Sequence, residues 1–458
     1  MNAASPQPPV RLAVVGHTNT GKTSLMRTLT RDAAFGEVSD RPATTRDVRG
    51  VDLLVNDEPL MSLFDTPGLE DPLGVIDAMA ALEEAPDPVA RIDAFIAGDH
   101  GHGRYEQEAK VLRQLRASDA ALYVVDVREP MLARHHRELR LLADCGRPLL
   151  PVLNFVAHEQ ADAQAWREGL ARSGLHVLAD YDTVIYDHAA EQDLFDKLQL
   201  LLASRRDQIT RLTRHRAEQR AMLIEDACRC VGGLLIDVAG LQMRGTLQDD
   251  LQQQTQTLQA RVRHAEQACV DALLAQFRFD LQAYAPPQLP LQQGRWVLDP
   301  FDPEALRVLG VRTSSAIAAG AVGGLSVDAM LGGASLGTGA ALGAGAGALV
   351  SGYRHFGRHW VDRLRGYRTL VVEEQTLAVL AARQLELLRA LLRRGHAATA
   401  AVTTGTVSGW PSAALREAVM RARAYPQWSE LNSSLPADAA GVQPVAEALK
   451  ELLIPVSP

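Results

Sequence analysis

An α/β domain with a mainly parallel six-stranded sheet and helices on both faces, followed by a mostly α-helical domain with a Gly-rich helical hairpin, is the architecture this sequence predicts. Three observations carry it. The stretch GHTNTGKT, Gly16 to Thr23, lies directly behind the apolar run Arg11–Val15. Apolar runs then alternate with helical periodicity as far as residue 205. Beyond it strand signals fade, and Arg, Gln, Ala and Leu dominate.

The bulk numbers agree. A chain of 458 residues with 47% hydrophobic content is long enough for two or three cores. A net charge of −8 lacks the electrostatic signature of a general nucleic-acid binder. Four cysteines, Cys145, Cys228, Cys230 and Cys269, are too few and too scattered for a disulfide framework, which fits a cytoplasmic protein. The opening MNAASPQPPV has no charged or apolar signal region and is expected to be a short disordered lead-in, residues 1–10.

The pattern G-x-x-x-x-G-K-[ST] between a strand and a helix is the phosphate-binding loop, making residues 11–205 an α/β P-loop NTPase domain. Gly16, His17, Thr18, Asn19, Thr20 and Gly21 form the loop, and Lys22, Thr23 and Ser24 open the helix. Backbone N–H groups and the positive helix end attract phosphate, Lys22 reaches the β- and γ-phosphates, and Thr23 offers its hydroxyl to Mg²⁺. After a helix to about Arg31, the polar connection Arg41–Asp47 holds Thr45, the first choice for contacting Mg²⁺ and the γ-phosphate, with Thr44 the second. Gly50–Val55 and Leu60–Phe64 read as a β-hairpin ending in Asp65-Thr66-Pro67-Gly68. There Asp65 orders the Mg²⁺ shell and Gly68 lets its N–H approach the γ-phosphate.

These three motifs resemble those of the Era, TrmE and EngA group of translation-factor-related GTPases: GHTNTGKTSL the phosphate loop, ATTRD the first switch, DTPG the second. The resemblance implies GTP and GDP as ligands with Mg²⁺, and slow hydrolysis as a conformational switch. Asn19 stands where potassium-stimulated members contact a monovalent cation, implying K⁺ as a second ion. Leu69 stands where Ras-like enzymes place a water-orienting glutamine. The family reads guanine with Asn-Lys-x-Asp, whereas this chain has Asn154-Phe155-Val156-Ala157. Losing that carboxylate costs a few kcal/mol of base recognition, which leaves guanine and adenine both open, with Glu159 or a stacking Phe155 as substitutes.

Residues 69–103 form an insertion expected to hold one helix, Pro72–Glu84, and a Gly-rich mobile loop around His100 and His102. A helix Tyr105–Arg116, strand Ala120–Asp126, helix Met131–Asp144, strand Pro148–Leu153, strand Val177–Tyr186 and helix Glu191–Leu202 follow. Gly16, Asp65 and Asn154 all fall at carboxyl ends of strands, where ligands of such sheets bind.

Residues 206–458 are expected to be helical. Arg206–Met243 has helical periodicity, and Leu247, Leu251, Leu258, Val262, Ala265, Cys269 and Leu273 suit an a/d seam, packed within the chain in preference to between chains. After the Pro-rich break Tyr284–Pro303, residues 314–352 repeat small-x-x-x-small spacings such as Gly339-x-x-x-Gly343, the geometry of a glycine zipper. Two arms of about 17 residues split at Gly332-Gly333 suit a helical hairpin. It is either buried in the soluble fold or in contact with a membrane, and Asp328 weighs against insertion by about 3 kcal/mol. Arginines and aromatics from Tyr353 to Arg368 extend that surface, so 314–368 offers a peripheral contact with the inner face of the cell membrane. Helices Thr369–Arg394 and Ala439–Leu453 close the domain, which is expected to engage a protein effector. A membrane-acting dynamin-like mechanical GTPase and a non-hydrolysing nucleotide-binding scaffold are the alternative functions.

Overall fold

The computed structural model describes residues 7–30, 48–82, 87–183, 188–246, 248–277, 291–292, 295–302, 325–327, 367–392, 409–432 and 441–453. It divides into two compact units, essentially Met1–Gln219 and Arg220–Pro458.

The first unit is built on a six-stranded sheet in the order β2-β3-β1-β4-β5-β6. The strands are β1 Val10–Val15, β2 Arg49–Val55, β3 Glu58–Asp65, β4 Ala120–Asp126, β5 Leu149–Asn154 and β6 Ala179–Asp180. Only β2 runs antiparallel, against β3. The turn between them is two residues, Asn56 and Asp57, at φ 50° and 65°. Both adopt the left-handed region that lets a two-residue turn follow the twist of its strands. β1, β4 and β5 are apolar almost throughout because helices cover both faces of the sheet. Successive side chains alternate between two cores: Leu12, Val14, Leu122 and Val124 enter one with Leu25, Met26 and Phe195. Ala13, Val15, Tyr123 and Val125 enter the other with Leu112, Leu139, Leu142 and Trp166.

The flanking helices are α1 Lys22–Thr30, α2 Pro72–Ala80, α3 Pro88–Ala97, α4 Asp99–His102, α5 Glu106–Arg116, α6 Ala133–Ala143, α7 Ala163–Arg172 and α8 His188–Leu201. The insertion therefore departs from expectation, with three helices in place of one. Asp71 and Asp87 each accept a capping bond, from the N–H of Gly74 and of Ala90, and a proline follows each. Proline at the first helical position costs no hydrogen bond, so Asp87-Pro88 starts a second helix after α2 has ended. The segment around His100 is a helical turn, with the His102 ring 3.1 Å from the Gly98 carbonyl, and not an open loop. β6 is two residues long, far shorter than the expected Val177–Tyr186, of which residues 184–186 lie outside the described residues.

The second unit is helical, with a small sheet. α9 Arg206–Gly240 crosses the division at Gln219, and α10 is Leu251–Gln276. Leu258, Val262, Cys269 and Leu273 of the expected seam are buried in this unit's own core with Val231, Leu235 and Val238 of α9. Packing within the chain thus accounts for the seam. The helix Glu374–Leu392 is buried over most of its circumference, as a helix apolar all round should be. Ala413–Arg421 and Val442–Leu453 pack onto the same core, the former absent from the sequence-based expectation.

Five strands were not anticipated. β7 Gln242–Thr246, β10 Leu325–Val327 and β11 Tyr367–Val372 form an antiparallel sheet in the order β10-β11-β7, and β8 Leu291–Gln292 pairs with β9 Arg295–Trp296. The predicted helices Arg206–Met243 and Thr369–Arg394 are corrected accordingly, each giving up one end to a strand. Within the expected Gly-rich hairpin, residues 325–327 are extended and not helical, and the remainder of 314–352 lies outside the described residues. No helix among the described residues is long and apolar enough to cross a membrane.

One buried carboxyl leaves a thermodynamic signature in this unit. Glu266 is 4% exposed, and burial outweighs the attraction of Arg383 and a bond from Gln384, pushing its carboxyl up from 4.5 to about 7. Between those values the folded chain keeps a proton that the unfolded chain has lost. Stability from this group is therefore full below pH 4.5 and falls, by about 3 kcal/mol, as pH rises through about 7. Urea unfolding across that window should show this decline, and Glu266→Gln should remove it.

Candidate functional site

The phosphate loop is the turn from β1 into α1. At Gly21 φ is +95°, and an added Cβ would lie 2.3 Å from the Asn154 amide nitrogen, so no side chain fits. Asn19 stands at φ 64°, a conformation asparagine tolerates, which gives this residue a backbone reason for its place beside any ionic one. Lys22 and Thr23 are the first residues of α1. The Lys22 ammonium, 7% exposed, donates to the carbonyls of Gly16 at 3.1 Å and His17 at 2.6 Å. Burial pulls its pKa down to about 8, against the raising influence of Asp65 and Glu138, so it remains cationic at neutral pH.

Asp65 ends β3, and its carboxylate accepts the Thr23 hydroxyl at 2.7 Å. Burial raises its pKa; the Thr23 bond and the Lys22 charge work the other way. Its second oxygen, Oδ1, is buried with no hydrogen-bond partner among the described residues. A hydroxyl, a carboxylate and an unsatisfied oxygen beside a phosphate loop fit a hard divalent cation such as Mg²⁺, which takes oxygen ligands. Thr23 and Asp65 would hold it. Thr44 and Thr45, expected to complete that shell, lie outside the described residues.

The segment Asp65–Leu69, expected to be the second switch, lies against the phosphate loop. The Thr66 hydroxyl donates to the Val14 carbonyl at 2.7 Å, and the Leu69 N–H to the Gly16 carbonyl at 3.4 Å. A Cβ at Gly68 would lie 2.4 Å from Thr18 Oγ1 and 2.8 Å from the Thr18 nitrogen. His17 adds a further clip. Its Nδ1 is 2.9 Å from both the Leu69 carbonyl and Glu138 Oε1. Carbonyl and carboxylate only accept, so Nδ1 carries hydrogen and donates to both. Glu138, fully buried on α6, also accepts the Tyr123 hydroxyl at 2.8 Å. A cavity of about 140 Å³ opens beside this cluster, walled by His17–Thr20, Tyr123–Asp126, Arg128, Glu129, His135 and Trp166.

On the opposite flank Asn154, fully buried at the end of β5, ties three segments together. Its amide donates to the Thr20 carbonyl at 2.9 Å, and its oxygen accepts from the N–H groups of Thr183 and Phe155, each at 2.9 Å. The Thr183 hydroxyl is buried without a hydrogen-bond partner among the described residues. Phe155, at φ 62°, carries the Arg128 guanidinium 3.7 Å over its ring, and Arg128 pairs with Asp126 at 2.6 Å. One face of the proposed stacking ring is thus already covered. Glu159 is exposed.

The fold brings Gly16, Lys22, Thr23, Asp65, Gly68 and Asn154, all expected site residues, to one end of the sheet. Glu138 and Tyr123, which join this cluster through His17, were not anticipated. A signal existed, since Glu138 sits on the buried stripe of α6 with Leu139 and Leu142, where a carboxylate needs a partner. Thr183 had no marker.

Because Gly68 leaves no room for a methyl group, Gly68→Ala should push the second switch off Thr18 and weaken nucleoside triphosphate binding about tenfold, or about 1.4 kcal/mol. Diphosphate affinity should stay within twofold on the same calorimetric titration.

Residues 11–155 match the family model described as 50S ribosome-binding GTPase. With the six-stranded sheet and the loop geometry above, this makes the first unit a P-loop domain of the GTPase family. Among solved structures, the chain is similar to an Era variant from Aquifex aeolicus bound to GDP.AlF4−, at 19% identity and TM-score 0.31. It is similar as well to Era with MgGDPNP and a segment of 16S ribosomal RNA, at 18% and 0.32. Each of these two alignments covers 42% of this chain and 56% of the other. A bacterial selenocysteine-specific elongation factor aligns at 17% identity and TM-score 0.29, over 43% of this chain and 29% of its own. No curated protein matches. Residues 167–451, more than half of the chain, match the family model described as a domain of unknown function, DUF3482, and the chain belongs to that family.

Proposed function

We propose that the chain binds GTP with Mg²⁺ at Gly16–Thr23, hydrolyses it slowly, and works as a switch whose state is read by the helical second unit and a protein effector. The observation that supports this best is the seating of the second switch on the phosphate loop, with Leu69 bonded to Gly16 and His17, and Gly68 against Thr18. A loop so placed responds to whatever enters the phosphate site, because any change at Thr18 moves Gly68.

In this reading Lys22 exchanges its two carbonyl partners for β- and γ-phosphate oxygens, and the loop N–H groups neutralise the rest of the charge. Mg²⁺, held by Thr23, Asp65 and Thr45, would supply charge neutralisation at the phosphates. Leu69, fully buried, offers no group to orient an attacking water, which supports a slow reaction driven by positioning and charge. Asn154 braces the base side, and the preference for guanine rests on the family match.

Isothermal titration with GTP, GDP and ATP tests the reading. The parent should bind GTP and GDP more tightly than ATP, and Lys22→Ala should lose about a hundredfold, or about 2.7 kcal/mol. Equal affinity of parent and variant, or binding of no nucleotide by either, would contradict it. If K⁺ beside Asn19 supplies charge during transfer, turnover should be faster in KCl than in NaCl; equal rates would remove that ion from the scheme.

A further inference from the structure

Cys230 on α9 and Cys269 on α10 face each other in the second unit, their sulfurs 3.6 Å apart across 39 positions of sequence. Both are free thiols. Cys269 belongs to the apolar core and Cys230 packs against it, yet polar groups adjoin the pair. Cys269, 6% exposed, has Gln384 Oε1 at 3.9 Å, and the Gln384 amide continues to Glu266 at 3.4 Å, so a polar seam runs from the thiols through the apolar core. Cys230 is only half-buried. A disulfide needs the sulfurs to close to about 2.0 Å, a movement of side chains on two helices whose neighbouring turns, around Val231 and Val270, are already packed.

The two thiols also differ in the sense such chemistry requires. Either sulfur can donate across the pair; the contact with Cys269 lowers the pKa of Cys230, while the contact with Cys230 and burial hold Cys269 well above the usual thiol value. The half-exposed sulfur is therefore the better thiolate, and the buried one retains its proton. Cys145 and Cys228, by contrast, are pushed up by burial to about 12 and about 11, and neither makes a sulfur–sulfur contact among the described residues.

We propose that Cys230 and Cys269 form a reversible dithiol–disulfide pair, an oxidation site at which hydrogen peroxide joins α9 to α10. The Cys230 thiolate attacks one peroxide oxygen; the O–O bond breaks, hydroxide leaves, and Cys230 becomes a sulfenic acid. The Cys269 sulfur then attacks the Cys230 sulfur; the S–S bond forms, the S–OH bond breaks, and the thiol proton leaves with the hydroxide as water. Two thiols and one peroxide give one disulfide and two waters. A dithiol reductant reverses the step by exchange and is itself oxidised.

The test uses the full chain, exposed to hydrogen peroxide, quenched, alkylated under denaturing conditions and mapped by mass spectrometry without reduction. The expected result is a peptide pair joining Cys230 to Cys269, loss of those two thiols from alkylation with Cys145 and Cys228 still labelled, and full recovery after reductant. Cys269→Ser should trap the sulfenic acid on Cys230, detectable with dimedone, and Cys230→Ser should give neither species. Four thiols still alkylated at peroxide levels that oxidise a model dithiol would overturn the proposal. So would a disulfide through Cys145 or Cys228, or a sulfenic acid that forms first on Cys269.

Discussion

One buried ammonium holds the working end of the first unit together. Lys22 sits at the foot of α1 with almost no solvent contact, and two carbonyls of its own loop take its hydrogens. A cation in that position is costly to desolvate unless acceptors surround it. The loop must therefore curl around it, with Gly21 in a backbone conformation open to glycine. In the proposed reading the N–H groups of the same loop receive the phosphate. Charge, loop shape and ligand class are consequences of one constraint.

From that point the connections run in two directions. Toward β3, Thr23 and Asp65 hold each other, and the strand continues into a second switch bonded back onto Gly16 and packed on Thr18. Toward α6, His17 passes from Leu69 to Glu138, and Glu138 to Tyr123 of the central strand β4. A carboxylate with no exposure is stable there only because both its oxygens receive hydrogen bonds. The phosphate loop, the segment after β3 and the helix behind them thus share one polar network.

Much of this was legible in the sequence, for identifiable reasons. Ala120–Asp126 reads directly as a central strand because burial on both faces demands an unbroken apolar run, and the phosphate loop because its glycines and lysine have fixed spacing. Helix boundaries around Pro88 were missed although Asp87-Pro88 repeats the cap of Asp71-Pro72. The strand β7, Gln-Met-Arg-Gly-Thr, has no apolar alternation, and only pairing with β11 makes it a strand. In β11 the Thr-Leu-Val-Val run did carry a β-branched signal, overridden by the long helical pattern beginning at Glu374. Long-range partners such as Glu138 with His17, 121 positions apart, leave no local trace.

A crystal structure of the chain with a non-hydrolysable GTP analogue and Mg²⁺ tests the central claim most directly. The account predicts the β-phosphate cradled by the N–H groups of Gly16–Thr23, with the Lys22 ammonium withdrawn from the carbonyls of Gly16 and His17 and bonded to phosphate oxygen. A nucleotide bound elsewhere, or Lys22 still bonded to both carbonyls beside a bound triphosphate, would contradict it.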